Sequence, residues 1–365
     1  TARPQARHAA AEGGLAARRH RPIVRRCNQR GRISMSNARY DVTGIGNAIV
    51  DIIGRCDEAY LKKIGADKGS MRLVDAATIA GIYSGMGPAM EMSGGSAANT
   101  IAGVASFGGT SGFIGKVADD EFGRIFSHDI RSIGVEFASP PVSGKEPTSR
   151  SLILVTPDGE RTMNTFLGIS TDLDHGQIDS NLIRDSAIIY LEGYLFDRPD
   201  AKAAFRAALG EAKKADRKVA LTLSDSFCVD RHRAEFLDLI RSGVDILFAN
   251  EKEITSLYET NNFDRAASNV RHDTRLAVLT RSAHGSIILH EGSVTNIKAE
   301  RVNEVVDTTG AGDLYAAGFL FGYAKGHALE TCGKLASLAA AEVISHVGAR
   351  PQTDLGTLAR EKGLI

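Results

Sequence analysis

Long apolar runs are missing from this chain. No stretch of about 18 consecutive apolar residues occurs, which is the length a membrane-crossing helix needs, so no membrane span is expected. Cysteine is scarce: Cys27, Cys56, Cys228 and Cys332 lie far apart and without CxxC spacing. That pattern argues against a disulfide framework or a zinc site and suits free thiols in a reducing, cytoplasmic compartment. Excess charge of either sign is absent too, with 44 Lys and Arg balancing 44 Asp and Glu. A neutral chain gives no electrostatic hint of nucleic acid or an anionic membrane as partner. No internal repeat appears, and no low-complexity segment follows Met35.

What is present is 365 residues, 43% of them hydrophobic. That is enough for a sizeable core, in two domains or in one large α/β domain with an addition. Residues 1–34 stand apart, with nine Arg and a single acid, Glu12. Such a composition fits a targeting segment or a disordered extension ahead of Met35. No clear amphipathic period is present, so a disordered extension over residues 1–35 is expected, followed by one globular part over 36–365.

From Tyr40 onward strand-like and helix-like segments alternate. Strand candidates are residues 40–53, 110–117, 186–196, 218–224, 244–251, 275–282 and 285–292. Helical stretches such as 200–215, 231–241 and 328–347 lie between them. This rhythm implies βαβ units and a mostly parallel sheet, with ligands at the carboxyl ends of its strands. One region breaks the rhythm. Residues 148–168 hold two β-rich runs joined by Pro157-Asp158-Gly159, a hairpin signal. With a second β-like patch near residues 54–72, it could form a small sheet over the strand ends, as a lid.

Three stretches carry chemistry. In "VVDTTGAGDLYAAGFL" (305–320) an apolar run meets Gly310, Ala311, Gly312 and Asp313, then a helix-like pattern beginning near Asp313. A helix start leaves unpaired N–H groups at a positive dipole end, and glycine lets an anion approach them closely. Asp313 could cap that helix or take a proton. In "MSGGSAANTIAGVASFGG" (92–109) Gly94, Gly95 and Ser96 precede a helix of small residues with Asn99 one turn in. This is either an ordinary turn and a close-packed helix, or a helix end that admits a substrate to Asn99. In "NEKE" (250–253) Asn250 and Glu253 follow a strand; they fit a capping box, magnesium held through water, or both. "GIGNAIVDI" (44–52) is only a partial dinucleotide fingerprint, lacking its third glycine. Its Asn47 and Asp51 could hold neighbouring sugar hydroxyls, or be a turn residue and a solvated acid.

Together these stretches resemble the PfkB (ribokinase-like) carbohydrate and nucleoside kinase family over about residues 40–355. The two signatures are "SGGSAANTIAGVASFGGTSGFIGKVADDEFG" and "DTTGAGDLYAAGFL". Shorter runs, "GIGNAIVDI", "DILFANEKEI" and "AAAEVISHVGARP", look most like its adenosine kinase branch. The resemblance implies a three-layer α/β/α domain with a mostly parallel central sheet and a β-sheet lid, the lid segments being about 54–72 and 146–168. It implies transfer of the γ-phosphate of ATP to a CH2–OH: the 5′-hydroxyl of a nucleoside, most of all adenosine, with a free sugar as the alternative acceptor. A non-catalytic nucleotide-binding protein and an NAD-dependent oxidoreductase are the readings from other classes. The intact Asp313 and the incomplete fingerprint count against them.

Carried over by the resemblance, Asp313 is the base, and Gly310, Ala311 and Gly312 form an anion hole. Asn47, Asp51, Gly95 and Asn99 contact the sugar hydroxyls. Thr280 and Gly285 border the nucleotide, and Asn250 and Glu253 organise magnesium and its waters. Asp307 and Thr309 match a monovalent-cation (K+) site that some members use. Arg161 is a candidate for the phosphate-binding arginine, against a surface position in its "PDGERT" turn. Phe166, Phe196 and Phe227 are candidates for an adenine slot. Cys228, Asp230 and His232 are read as no zinc site, and His284 and His346 as structural or surface histidines. Both a monomer and a homodimer with paired lids fit the sequence.

Overall fold

The computed structural model describes Thr1 and residues 38–365. The expected extension over residues 1–35 therefore lies outside the described residues, Thr1 apart. Among the described residues fourteen strands follow in order: β1 (Tyr40–Ile45), β2 (Ile49–Arg55), β3 (Met71–Leu73), β4 (Ala89–Gly94), β5 (Ser111–Ile114), β6 (Val135–Glu136), β7 (Ser149–Val155), β8 (Arg161–Phe166), β9 (Ser186–Glu192), β10 (Lys218–Thr222), β11 (Ile246–Asn250), β12 (Leu276–Thr280), β13 (Ser286–His290) and β14 (Ser293–Ile297).

Nine of them form one large sheet in the order β14-β13-β12-β11-β10-β9-β1-β5-β6. It is parallel from β6 to β12 and antiparallel at the β13 and β14 edge. Alternation along each strand divides the apolar side chains between the two faces. Ile188, Ala220, Ile246 and Val278 pack on one face with the helices Ser96–Ser106, Ala311–Ala324 and Leu329–Val343. Their neighbours Ile189, Leu221, Leu247 and Leu279 pack on the other with Pro199–Lys214, Ser226–Gly243, Glu251–Leu257 and Phe263–Val270. The result is the three-layer α/β/α architecture.

The remaining five strands form a smaller sheet, β3-β8-β7-β2-β4. The β7–β8 hairpin turns at Pro157-Asp158-Gly159 as the sequence suggests, with Gly159 at φ +85°. Residues 54–72 differ from their β-like reading. They hold only the end of β2 and the start of β3, with the helix Glu58–Lys63 between, capped by Asp57 accepting from Tyr60 N–H. The run 40–53 is likewise two strands. It breaks at Gly46-Asn47-Ala48 and crosses from the large sheet to the small one. Both β4 and β14 lack a clear sequence signal; each is held by its neighbour's ladder.

Candidate active site

The helix Ala311–Ala324 starts where the glycines permit. Gly310 is its N-cap at φ +77°, and a Cβ there would stand 2.8 Å from the Ala349 side chain. Both its conformation and its packing require glycine. A Cβ on Gly312 would meet nothing within 4 Å, so no protein contact demands glycine at that position. The first helical bond runs from Leu314 N–H to Gly310 O at 2.8 Å, and Ala311 N–H donates to Thr308 O at 3.2 Å. Ala311 is thus already engaged, and the free end of the helix is presented by Gly312 and Asp313.

Asp313 does not cap its own helix. Its carboxylate turns to the helix Ser96–Ser106, accepting from Ser96 Oγ at 2.6 Å and Asn99 Nδ2 at 3.1 Å. Thr100 Oγ1 donates to the Asp313 carbonyl at 3.1 Å, fixing the two helix ends together. Burial pushes the Asp313 carboxyl above its ordinary range, opposed by Ser96, Asn99 and the charge of Arg350. Gly95, the N-cap before Ser96, sits at φ +101° with Asn47 O against it, so only glycine lets the chain pass there.

Asn47 and Asp51 lie on either side of the crossing between the sheets. Asn47 is buried. Its Nδ2 donates to Glu192 Oε1 at 2.6 Å, and its Oδ1 accepts from Ser170 Oγ at 2.9 Å. Glu192 also accepts from Ala97 N–H at 2.8 Å, and burial lifts its carboxyl to about 7. Asp51 is inside β2 rather than beyond a strand end. Burial raises it to about 7, tempered by Arg350 and Arg161. Cross-strand register sets its surroundings. Asp51 shares a row with Leu73, Thr165, Ser151 and Met92, and the adjacent row on the same face is Met71, Met163, Ile153, Ile53 and Met90. The opposite face, with Val50, Ile52, Leu152 and Leu154, packs with Leu61, Ile79 and Ile82 of two short helices.

Arg161 is not a surface residue of its turn, as the likelier sequence reading had it. Its side chain is only 8% exposed and reaches from β8 to the Asp307 carboxylate, 2.5 Å away. None of its guanidinium nitrogens makes a well-aligned hydrogen bond, so a buried cation with donors to spare faces the site. Asp307 also accepts from Thr309 N–H at 3.0 Å and Gly348 N–H at 3.1 Å. A carboxylate neutralised in this way does not fit a monovalent cation, and we derive no step through one.

Asn250 and Glu253 form the capping box: Glu253 N–H donates to Asn250 Oδ1 at 2.9 Å, and Asn250 N–H to Glu253 Oε2 at 3.0 Å. Burial, with Asp225 and Asp313 nearby, raises the Glu253 carboxyl to about 7. Hard oxygen donors under uncompensated negative charge fit a magnesium ion. Among the described residues no group of three His, Cys, Asp or Glu stands close enough to hold a metal by itself. Asn250 pairs with Thr280 at the carboxyl ends of β11 and β12. Gly285, at φ +80° with Ile297 O against it, is required by its own backbone path.

Other candidates lie apart. Phe196 stacks on Phe236 in the core, Phe166 is buried beside Arg150, and Phe227 is 70% exposed at the start of its helix. The three do not converge on a slot. Cys228 lies buried in the core, while His232 is held by Asp197 and Glu235. His284 is exposed, and His346 lies 3.2 Å from Glu342. Sequence reasoning assigned no role to Ser96, Glu192 or Arg350. A lone acid closing the apolar run "AIIYLE" was a usable signal for Glu192; Ser96 and Arg350 had none beyond their places in the two quoted stretches.

The model of the pfkB family carbohydrate kinases matches residues 90–354. Among solved structures, an adenosine kinase from Sinorhizobium meliloti is 53% identical, with a TM-score of 0.82 over 89% of this chain and 100% of that one. A probable sugar kinase from Rhizobium etli is 49% identical, with a TM-score of 0.83 over 90% and 100%. The fructokinase of Klebsiella pneumoniae is 27% identical over 290 residues, 74% of this chain and 94% of its own. The fold, the two glycine-flanked helix ends and the carboxylate between them therefore have one source: the chain belongs to the pfkB family of carbohydrate kinases, phosphotransferases acting on hydroxyl groups of sugars or nucleosides.

Proposed function

We propose that this chain is an ATP-dependent nucleoside kinase that phosphorylates the 5′-hydroxyl of adenosine. The observation that carries the nucleoside reading is the face of the smaller sheet around Asp51. An apolar row, Met71, Met163, Ile153, Ile53 and Met90, runs directly beside the carboxylate. A ribose whose hydroxyls bond Asp51 would lay its base on that row, where a free sugar has nothing to cover it. The slot is thus aliphatic and methionine-rich, not aromatic. The 53% identical adenosine kinase supports the same reading.

In this reading Asp313 takes the proton of the attacking hydroxyl. Ser96 and Asn99 donate to its carboxylate and hold it ionised and aimed. The N–H groups at the start of Ala311–Ala324 meet the transferring phosphoryl, and Arg161 offers its free donors to the same charge. Thr280 and Gly285 border the nucleotide. Asn47, pinned by Glu192 and Ser170, sets where β2 leaves the large sheet and hence where Asp51 stands. Gly95 and Asn99 complete that wall. Asn250 and Glu253 would hold magnesium through water, and the ion would supply neutralisation of phosphate charge. The smaller sheet acts as a lid excluding water. Free Cys56, Cys228 and Cys332 suit a reducing, cytoplasmic setting, and no helix among the described residues is long and apolar enough to cross a membrane.

A sugar kinase is the second reading, favoured by the fructokinase relative. ADP release with ATP and magnesium, compared across adenosine, inosine, guanosine, ribose and fructose, decides between them. Preference for adenosine is expected. Preference for ribose or fructose overturns the nucleoside reading and leaves Asp313 in place.

A further inference from the structure

Arg350 lies in the loop after Leu329–Val343, far in sequence from every group it touches. Its Nε donates to Asn99 Oδ1 at 3.0 Å, and its Nη2 to Ser93 O at 2.6 Å and Ser93 Oγ at 3.0 Å. Ser93 is held from behind, donating through N and Oγ to Asp129 Oδ2 at 2.8 and 2.5 Å. The guanidinium is thus anchored at one end and touches Asn99 at the other.

Arginine has five donors and no acceptor. The atom of Asn99 that faces it must therefore be the carboxamide oxygen, and the Asn99 NH2 is left facing Asp313 Oδ2. A carboxamide is nearly symmetric in shape, and either end fits a carboxyl. With its NH2 forward it bonds the ionised carboxylate. With its oxygen forward it would bond the protonated acid, which cannot take a proton.

We propose that Arg350 is a positioning residue that locks the Asn99 carboxamide with its NH2 toward Asp313, so that the base is kept in its proton-accepting form. The proposal rests on the kinase reading, in which Asp313 is the base. Arg350 also adds a positive charge beside Asp313, as Arg161 does beside Asp307, in a site rich in acids and phenols. Asp51 on β2, Tyr190 and Glu192 on β9, Tyr194 just after it and Glu253 on Glu251–Leu257 all share the field of Asp313. Against them, Arg350 is the charge that favours the ionised Asp313 carboxylate.

The test is a double-mutant cycle on kcat with Arg350→Met, Asn99→Ala and the pair, using whichever of adenosine, ribose or fructose the unaltered chain phosphorylates fastest. Each single change is expected to lower kcat about 10- to 100-fold, and the pair to lose little more than the worse single change, because both remove one interaction. Losses that multiply, or an Arg350→Met variant with unaltered kcat, overturn the proposal. Arg350→Lys, which keeps the charge and is the safer variant for folding, is expected to recover part of the loss.

A second readout does not need turnover. The pH dependence of thermal unfolding owed to Asp313, taken as the difference from Asp313→Asn, should move up by about one pH unit when Arg350 is replaced. An unmoved midpoint overturns the proposal. A chain inactive on every acceptor but showing the shift overturns the kinase reading alone.

Discussion

The two ends of the large sheet invite comparison. At the amino ends of β10, β11 and β12 lies a cavity of about 570 Å³, lined by Lys213, Arg217, Arg271, Arg275 and their neighbours. At the carboxyl ends lies the candidate site. The first has the volume and much charge, yet its charges are spent or wet. Lys218 pairs with Asp245 at 2.7 Å, Arg241 with Asp273 at 2.8 Å, and Arg271 and Arg275 are exposed. At the second end Asp51, Glu192 and Glu253 are each raised to about 7 by desolvation, and Arg161 and Arg350 are buried cations. Ionisable groups displaced from their ordinary pKa by desolvation and gathered in one place mark chemistry better than volume does.

The comparison breaks most directly at Asp313. Asp313→Asn keeps the shape and removes the carboxylate that the proposed reading makes the base, and turnover should fall by about 10²–10⁴-fold or more while acceptor binding, read by calorimetry, persists. Near-normal turnover would remove Asp313 from the mechanism. Arg161→Met comes next, with an expected loss of about 10²–10³-fold in kcat, since the proposed reading makes it a preorganised donor to the transferring phosphoryl. A change confined to the KM of the acceptor would place Arg161 on Asp307 for structure only.

Smaller effects sharpen the contrast. Glu192 has its carboxyl raised to about 7 from 4.5, so the folded chain binds that proton more tightly than the unfolded one. Its contribution to stability is full below about pH 4.5 and is lost as the pH rises through 7. That loss is on the order of 3 kcal/mol. Glu192→Gln should flatten the fall of unfolding temperature between pH 5 and 8; an unchanged slope would locate the strain elsewhere. At the other end of the sheet, Arg271→Ala with Arg275→Ala should change kcat/KM by less than about two-fold, as surface changes away from a site do. A larger change would give that cavity a role.

The sequence made the sheet legible because its signals are local. Apolar runs such as "AIIYLE" and "ILFA" are buried on both faces, and the glycines at 94, 95, 310 and 312 mark the two helix starts. The hairpin at Pro157-Asp158-Gly159 carried its turn in its own residues. The same locality misled at residues 54–72, where a short helix capped by Asp57 sits among β-like residues, and at 40–53, where one run serves two sheets. Arg161 misled for a related reason: a charged residue beside a turn is usually solvated, and only the packing of β8 toward Asp307 buries it.

By itself the sequence determined the α/β class, the two helix starts, Asp313 beside the second of them and the family, because each strand, helix start and signature is a run of residues close together in the chain. The tertiary structure alone decided what Asp313 touches, that Asn47 is pinned by Glu192, and that an aliphatic row runs beside Asp51. It also decided that Arg350 reaches Asn99, 251 residues away in the chain. Those pairings join separate strands and helices, and their energies depend on burial, which no local pattern of residues records.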